Sequence, residues 1–116
     1  MRSGFEEDVR RLLKSKKIKF EYETVSIPYT VSAVYKPDFI IGKIHIETKG
    51  WLRPSDRKKL LLVKKQNPDL DIRLWFMQDN FLNKNKKTKY SEWADKNGFP
   101  YHVGLGFPKH WFTKKK

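Results

Sequence analysis

The feature that most constrains the fold is a strand, a helix and a second strand in succession between residues 44 and 77. Ile44 to Lys49 alternates apolar and polar side chains, as a half-buried strand does. A helix is predicted from Pro54 to about Gln66, because Asp56 suits its first turn and Pro68 follows its end. Leu70 to Met77 is apolar enough for a buried strand. These elements predict a right-handed βαβ unit with parallel strands.

The remaining elements flank this unit. An apolar stripe at helical spacing predicts an N-terminal helix, and it comprises Phe5, Val9, Leu12 and Leu13. Residues 18–35 form a β-prone run without glycine or an Asn-Gly or Asp-Gly turn, so a tight hairpin is not signalled inside it. Pro28 indicates an edge strand or a crossing between elements within that run.

Further along the chain, a turn near Gly42 separates two strands, and a helix from about Lys89 to Asn97 ends at Gly98. A short strand and a turn of helix after Pro108 complete the chain. The order predicts an α/β fold, a mixed central β-sheet flanked by helices, in one domain over residues 1–116.

The charge balance points to a polyanionic partner. The chain carries 26 Lys and Arg against 13 Asp and Glu, a net charge of +13. Such a surplus favours nucleic acid, whose condensed counterions Lys and Arg release. No interfacial amphipathic helix, membrane-length apolar run or signal peptide is recognisable, so we expect no membrane partner. The three histidines lack the spacing of a zinc site. Because the chain has no cysteine and so no disulfide, a reducing cytoplasm is the expected location.

Two short motifs carry the candidate chemistry. Pro37-Asp38 precedes Glu47-Thr48-Lys49, a pattern of the form P-D…E-x-K that is typical of metal-dependent nucleases. Two converging carboxylates can bind a hard divalent cation through oxygen ligands. Lys49, on the same strand face as Glu47, can orient a water or stabilise charge on phosphate. The alternative is an ordinary solvated Glu–Lys pair, which contributes little.

Longer segments resemble one family over nearly the whole chain. The segments are Arg2-Ser3-Gly4-Phe5-Glu6, Ile18-Lys19-Phe20-Glu21-Tyr22-Glu23, Pro37-Asp38-Phe39, Glu47-Thr48-Lys49-Gly50, Asp56-Arg57-Lys58-Lys59 and Asp69-Leu70-Asp71-Ile72-Arg73. Together they resemble phage endonuclease I, the Holliday-junction-resolving enzyme of the T-seven-like phages. The resemblance implies a PD-(D/E)XK nuclease core and an intertwined, strand-exchanged homodimer that acts on branched DNA such as the four-way junction. It also implies magnesium, with manganese as a substitute, two ions per active site, and the host-cell cytoplasm as location.

The resemblance assigns roles residue by residue. The catalytic set falls on Glu6, Asp38, Glu47 and Lys49. The metal ligands fall on Asp38, Glu47 and the carbonyl of Thr48, with Glu6 supporting a second ion. Residues 20–37 fall where the family exchanges strands between subunits. Two departures are that the family's basic N-terminal extension does not precede the first helix, and that Val31 to Lys36 is shorter than expected.

Several residues have competing interpretations. Ser3 and Glu6 fit a helix capping box, so Glu6 can be structural as well as catalytic. The predicted helix after the second motif carries a basic group, which is either a solvated helix face or a surface for phosphate contact, and we favour phosphate contact. Together with Ser3, this group forms the predicted DNA-binding set: Arg57, Lys58, Lys59, Lys64 and Lys65. His45 shares the Glu47 face, but a satisfied or solvent-facing side chain is favoured over a general base. Trp51 is either core or a surface for unpaired bases.

The predicted function is a structure-selective, metal-dependent DNA endonuclease that resolves Holliday junctions and other branched DNA by phosphodiester hydrolysis. Two alternatives stay open. One is a restriction- or transposition-type nuclease that cuts ordinary duplex. The other is a non-catalytic basic nucleic-acid-binding module whose carboxylates are structural.

Overall fold

The two strands of the predicted βαβ unit lie side by side at the centre of a five-stranded sheet. A computed structural model describes residues 4–23, 26–28, 34–84 and 86–112. Its strands are β1 (Glu21–Tyr22), β2 (Ile27–Pro28), β3 (Val34–Tyr35), β4 (Phe39–Ile41), β5 (Ile44–Lys49), β6 (Asp71–Phe76) and β7 (Tyr101–Val103). Its helices are α1 (Gly4–Ser15), α2 (Pro54–Gln66), α3 (Tyr90–Lys96) and α4 (Lys109–Phe112).

The sheet is mixed, with strand order β1-β4-β5-β6-β7. The β1–β4 and β4–β5 pairs are antiparallel, whereas β5–β6 and β6–β7 are parallel. The predicted α/β class, mixed sheet and parallel βαβ connection are therefore confirmed. A tight turn at Gly42, with φ of +60°, joins β4 to β5.

Helices cover both faces of the sheet, because β6 is apolar on both of its sides. On one face, Ile72, Leu74 and Phe76 pack with residues of α2 and α3. On the other face, Trp75 packs with Ile46 and with the apolar stripe of α1, where Phe5, Val9 and Leu13 are buried. β6 therefore contributes apolar side chains to both cores, while Asp71 and Arg73, on the same side as Trp75, form an ion pair at 3.0 Å. No helix in the described ranges is long and apolar enough to cross a membrane.

The β-prone run at 18–35 forms three two-residue strands, of which β1 joins the main sheet at its edge. Inside this run, β2 and β3 pair antiparallel with Ile27 opposite Tyr35. The connection between them spans residues 29–33, so no two-residue tight turn joins them, in agreement with the missing turn signal. Pro28 lies in this separate two-stranded sheet, which confirms its edge position. Strand exchange between subunits stays a prediction.

Candidate active site

The charged residues of the two short motifs meet at the end of the central strand. Phe39 pairs with Ile46, so the preceding Asp38 lies beside Glu47 at the carboxyl end of β5. The first turns of α1 and α2 flank this point with Glu6 and Asp56. A cavity of about 510 Å³ opens there, lined by Glu6, Glu23, Asp38, Glu47, Thr48, Lys49, Gly50, Trp51 and Arg53.

Asp38 is held against β5 by Thr48. Its Oδ2 accepts hydrogen bonds from the Thr48 backbone N–H at 2.9 Å and from the Thr48 Oγ1 at 2.8 Å. Burial and the nearby charge of Glu47 raise the pKa of Asp38 to about 7, even though the Thr48 hydrogen bonds oppose that shift. Because the N–H and C=O of a strand residue point to the same side, the Thr48 carbonyl also faces the Asp38 side of β5.

Glu47 is a buried carboxylate, with only 4% of its surface exposed. Its Oε2 lies 3.2 Å from the Lys49 ammonium, which also lies 3.3 Å from Oδ1 of Asp56. Burial raises the pKa of Glu47, and the positive charges of Lys49 and Lys59 offset part of that rise. Burial opposes the charged form of Lys49 as well, but Glu47 and Asp56 together outweigh it and raise the pKa of Lys49. The lysine is thus held as an ammonium between two carboxylates.

Two buried oxygen atoms beside this ion pair lack hydrogen-bond partners. Within the described part of the chain, Glu47 Oε1 and the Tyr35 hydroxyl are both without one. The Tyr35 hydroxyl approaches Glu47 without hydrogen-bond geometry, and burial together with the charges of Glu47 and Asp38 raises the pKa of Tyr35. Buried polar atoms are nearly always satisfied, and of these two residues Glu47 lines the cavity, so its unpaired Oε1 is a candidate contact for a ligand.

Glu6 lies in the first turn of α1, and it faces the same cavity. The Tyr22 hydroxyl donates a 2.5 Å hydrogen bond to Glu6 Oε2. Burial raises the pKa of Glu6, and the neighbouring charges of Asp38 and Glu23 act in the same direction. One carboxylate oxygen from each of Glu6, Glu23 and Asp38 lies within 4.8 Å of the others, a spacing that a divalent cation could bridge.

Sequence reasoning did not select Glu23, Tyr35 or Asp56 for the site. Glu23 follows β1 with φ of +55°, a left-handed conformation that no sequence pattern signals for glutamate. Tyr35 looked like one more residue of a β-prone run, and Asp56 looked like a helix-start residue only. Ser3 lies outside the described residues, so its capping and DNA-binding interpretations stay predictions.

The predicted basic residues of α2 differ in their surroundings. Lys59 lies near the site, because its ammonium is 5.9 Å from the Tyr35 ring centroid and its charge lowers the pKa of Glu47. Lys64, in the last turn of α2, instead donates to the Gly98 carbonyl at 3.2 Å and packs over Phe99. Lys58 and Lys65 are exposed and Arg57 is half-buried.

Two aromatic residues of the prediction are also placed. Trp51 is 68% exposed at the cavity and lies under the Arg53 guanidinium, 5.8 Å from it, whereas the other three tryptophans are buried. The interpretation of Trp51 as core is therefore wrong. His45 is half-buried on β5, and its Nδ1 is buried without a partner among the described residues, so the expectation of a satisfied or solvent-facing ring is wrong.

Comparison with known proteins identifies the family. A family model described as phage endonuclease I matches residues 1–116, the whole chain. The chain belongs to the phage endonuclease I family. Endonuclease I of Escherichia phage T7 is 42% identical over 120 residues, covering 99% of this chain and 80% of that protein. Endodeoxyribonuclease 1 of Enterobacteria phage T3 is 47% identical over 102 residues, covering 84% of this chain and 67% of that protein.

Membership in this family confirms the resemblance that the short segments indicated. The four residues that the resemblance predicts as catalytic all line one cavity, which makes this cavity the candidate active site of an endonuclease. Their individual roles stay predictions.

The raised pKa of Asp38 makes a stability prediction. An aspartate whose pKa rises from 3.8 to about 7 on folding costs stability once it is ionised, so wild-type stability should fall as pH rises from about 4 to 7. Asp38→Asn keeps an oxygen for the two Thr48 hydrogen bonds but removes the charge. At pH 8 the variant should therefore have a melting temperature several degrees above that of wild type, and a free energy of unfolding higher by about 2 kcal/mol.

Thermal melts at pH 5 and pH 8 check this expectation, and the gain should shrink at pH 5. Asp79→Asn is the matched control, because Asp79 accepts two hydrogen bonds from Ser91 at the start of α3, at 2.9 and 2.6 Å. Asp79→Asn should lower the melting temperature at both pH values. A destabilised Asp38→Asn at pH 8 would show that burial does not penalise the Asp38 charge.

Proposed function

We propose that this protein is a structure-selective, metal-dependent DNA endonuclease that resolves four-way junctions by phosphodiester hydrolysis. The observation that carries the proposal is the convergence of Glu6, Asp38, Glu47 and Lys49 on one cavity at the end of β5. The family supplies the endonuclease class, and the T3 relative is named a deoxyribonuclease. Three acidic groups around one lysine, in a protein of net charge +13, form a local acidic centre in a basic molecule.

The donor set fits a hard divalent cation such as magnesium, with manganese as a substitute. Asp38, Glu47 and the Thr48 carbonyl would bind one ion, and Glu6 would support a second. The buried, unpaired Glu47 Oε1 favours this fit, since a ligand in the cavity would satisfy it. Magnesium bound there would lower the pKa of a water and neutralise charge on the phosphate. Divalent binding would also offset the burial and the repulsion from Glu47 that together raise the pKa of Asp38.

The protein's own groups set the geometry of the reaction. Thr48 fixes the Asp38 carboxylate through two hydrogen bonds, and the Lys49 ion pair fixes Glu47. The Lys49 ammonium, the least buried member of its pair, faces the cavity and would orient the attacking water or stabilise the charge that develops on phosphate. The hydrogen bond from the Tyr22 hydroxyl fixes the Glu6 carboxylate.

DNA affinity would come mainly from contacts between cations and phosphates. The surplus of 13 positive charges supports this, and Lys59 lies nearest to the carboxylates among the basic residues of α2. Nothing in the described elements resembles a helix that reads base edges, so selectivity would depend on DNA shape. Cutting two strands of one junction would need two active sites, which a homodimer with residues 20–37 as its bridge would provide.

Trp51 offers a surface for the distorted DNA at a branch point. It is the most exposed of the large apolar side chains in the described part of the chain, and it borders the catalytic cavity. Stacking of an aromatic side chain on an unpaired base is sequence-tolerant, and it is unavailable in intact duplex. Trp51 would therefore favour branched over linear DNA.

The central test is cleavage of a labelled four-way junction and its matched linear duplex, with magnesium and with chelator. We expect cutting of the junction only with magnesium, and in two opposed strands. Glu47→Gln should abolish cutting, because the neutral amide is a poor metal ligand, while junction binding should stay within a few-fold of wild type.

Each alternative function has a distinct outcome in the same assay. Equal cutting of junction and duplex would favour a nuclease of ordinary duplex. Binding with no cutting in magnesium or manganese would favour a non-catalytic module. Native-rate cutting by Glu47→Gln would refute the metal assignment, and a monomeric mass in solution would refute the paired-cut mechanism.

The Trp51 assignment predicts a loss of selectivity. Trp51→Ala should lower junction affinity by about 1–3 kcal/mol, and leave duplex affinity nearly unchanged. Equilibrium binding of both DNAs measures the difference. Phe81→Ala is the matched control, because Phe81 is also an exposed aromatic residue beside a cation, Lys89, and it does not line the cavity. Equal losses for the two variants, or for the two DNAs, would contradict the assignment.

Phosphate contact by α2 predicts a change in salt dependence. Lys59→Gln should reduce the slope of log affinity against log salt by about one. Lys64→Gln removes the same charge from the same helix, but its ammonium is already bound to Gly98 and should contribute less to the slope. Binding titrations across salt concentrations compare the two. A larger effect from Lys64 would place the DNA at the other end of α2.

A further inference from the structure

The two carboxylate oxygens of Asp56 make different contacts. Oδ2 accepts the backbone N–H of Arg53 at 3.0 Å, which fixes the start of α2, and it also accepts Arg53 Nε at 3.1 Å. Oδ1 accepts the Lys49 ammonium at 3.3 Å and a longer contact from Arg53 Nη2 at 3.4 Å. One side chain thus joins the start of a helix to the lysine of the cavity.

Asp56 supplies the second of two carboxylate contacts that hold the Lys49 ammonium. The ammonium contacts Glu47 at 3.2 Å and Asp56 at 3.3 Å. Glu47 alone would let the long side chain rotate about a single contact, and metal binding would compete for the same carboxylate. Asp56 does not line the cavity, so its hold on Lys49 would persist when Glu47 binds a cation.

Asp56 is itself immobilised. Its side chain is 5% exposed, and the Arg53 guanidinium closes it off from solvent with contacts to both oxygens, at 3.1 and 3.4 Å. A buried charge that is paired on both sides and hydrogen-bonded to the backbone is held in one geometry. Fixed carboxylates of this kind position a catalytic group without touching the substrate.

We propose that Asp56 is a positioning residue for cleavage, in which one oxygen starts α2 and the other holds the Lys49 ammonium towards the scissile phosphate. The inference rests on the proposed function, in which Lys49 acts on the phosphate. A purely structural Asp56 would matter for the stability of α2 and for nothing else.

The primary variant is Asp56→Asn, which keeps an oxygen for the Arg53 N–H but removes the charge that attracts Lys49. We expect single-turnover cleavage to slow about 10- to 100-fold, as for a misplaced catalytic group, with junction affinity unchanged. Glu92→Gln is the matched control, because Glu92 accepts the Lys89 N–H at 2.8 Å in the same helix-start position of α3. Glu92→Gln should cost stability but no cleavage rate.

A double-mutant cycle with Lys49→Ala separates positioning from structure. If Asp56 acts through Lys49, Asp56→Asn should slow wild type but should not slow Lys49→Ala further. Multiplicative losses, or native-rate cleavage by Asp56→Asn, would overturn the proposal. If Asp56→Asn does not fold, Asp56→Gln and Asp56→Glu replace it, since both suit this helix position and differ only in charge. Faster cleavage by the Glu variant is then expected, and equal rates would overturn the proposal.

A readout without cleavage keeps this inference distinct from the proposed function. In wild type the Lys49 ammonium should give a slowly exchanging NMR signal, assigned by its loss in Lys49→Arg. The signal should disappear in Asp56→Asn and persist in Glu92→Gln. Persistence in Asp56→Asn would overturn the positioning role. Failure of wild type to cut any DNA, with this NMR pattern intact, would refute the proposed function alone.

Discussion

The buried carboxylate of Glu47 is the constraint on which the rest of the site depends. Removing an ionised group from water costs several kcal/mol, unless opposite charge and hydrogen bonds compensate. Lys49 supplies the charge on one oxygen, while the other oxygen is buried without a partner. The folded protein therefore maintains an incompletely satisfied carboxyl group at the end of its central strand, and a cation in the cavity would stabilise its ionised form.

The position of Glu47 at the end of β5 explains how the remaining groups reach it. Because β5 and β6 are parallel, the chain must cross over between them, and it does so through α2. The start of α2 therefore lies just beyond the carboxyl end of β5. Asp56 in its first turn is thereby brought to Lys49. The antiparallel β4–β5 pair brings Asp38 from the other side. The directions of β4 and α2 thus bring Asp38 and Asp56 to the same end of β5.

The site also illustrates how functional groups oppose stability. Asp38, Glu47 and Glu6 all have raised pKa values, and burial is the largest cause for each. Crowded acidic groups destabilise the fold at neutral pH, and the apolar contacts on the two faces of the sheet must compensate. Trp75, Ile46 and the α1 stripe on one face, and Leu74 and Phe76 with α2 on the other, provide that compensation.

The sequence by itself determined the elements and indicated the central candidate residues of the site. Alternation in Ile44–Lys49, the helix signals around Pro54 and Pro68, and the apolar run after Leu70 are local patterns, and each predicted an element close to its observed bounds. The order of the short segments was enough to recognise the family. Asp38, Glu47 and Lys49 could be predicted as site residues, because two short motifs and strand periodicity place them together.

Only the tertiary structure decided which distant side chains join them. The left-handed turn at Glu23, the approach of Tyr35 to Glu47, the exposure of Trp51 and the second contact of Asp56 each depend on how separate segments pack. Sequence periodicity describes the direction of a side chain relative to its own element. It carries no information about which element lies opposite, and the pKa values and contacts of this site arise from those neighbours.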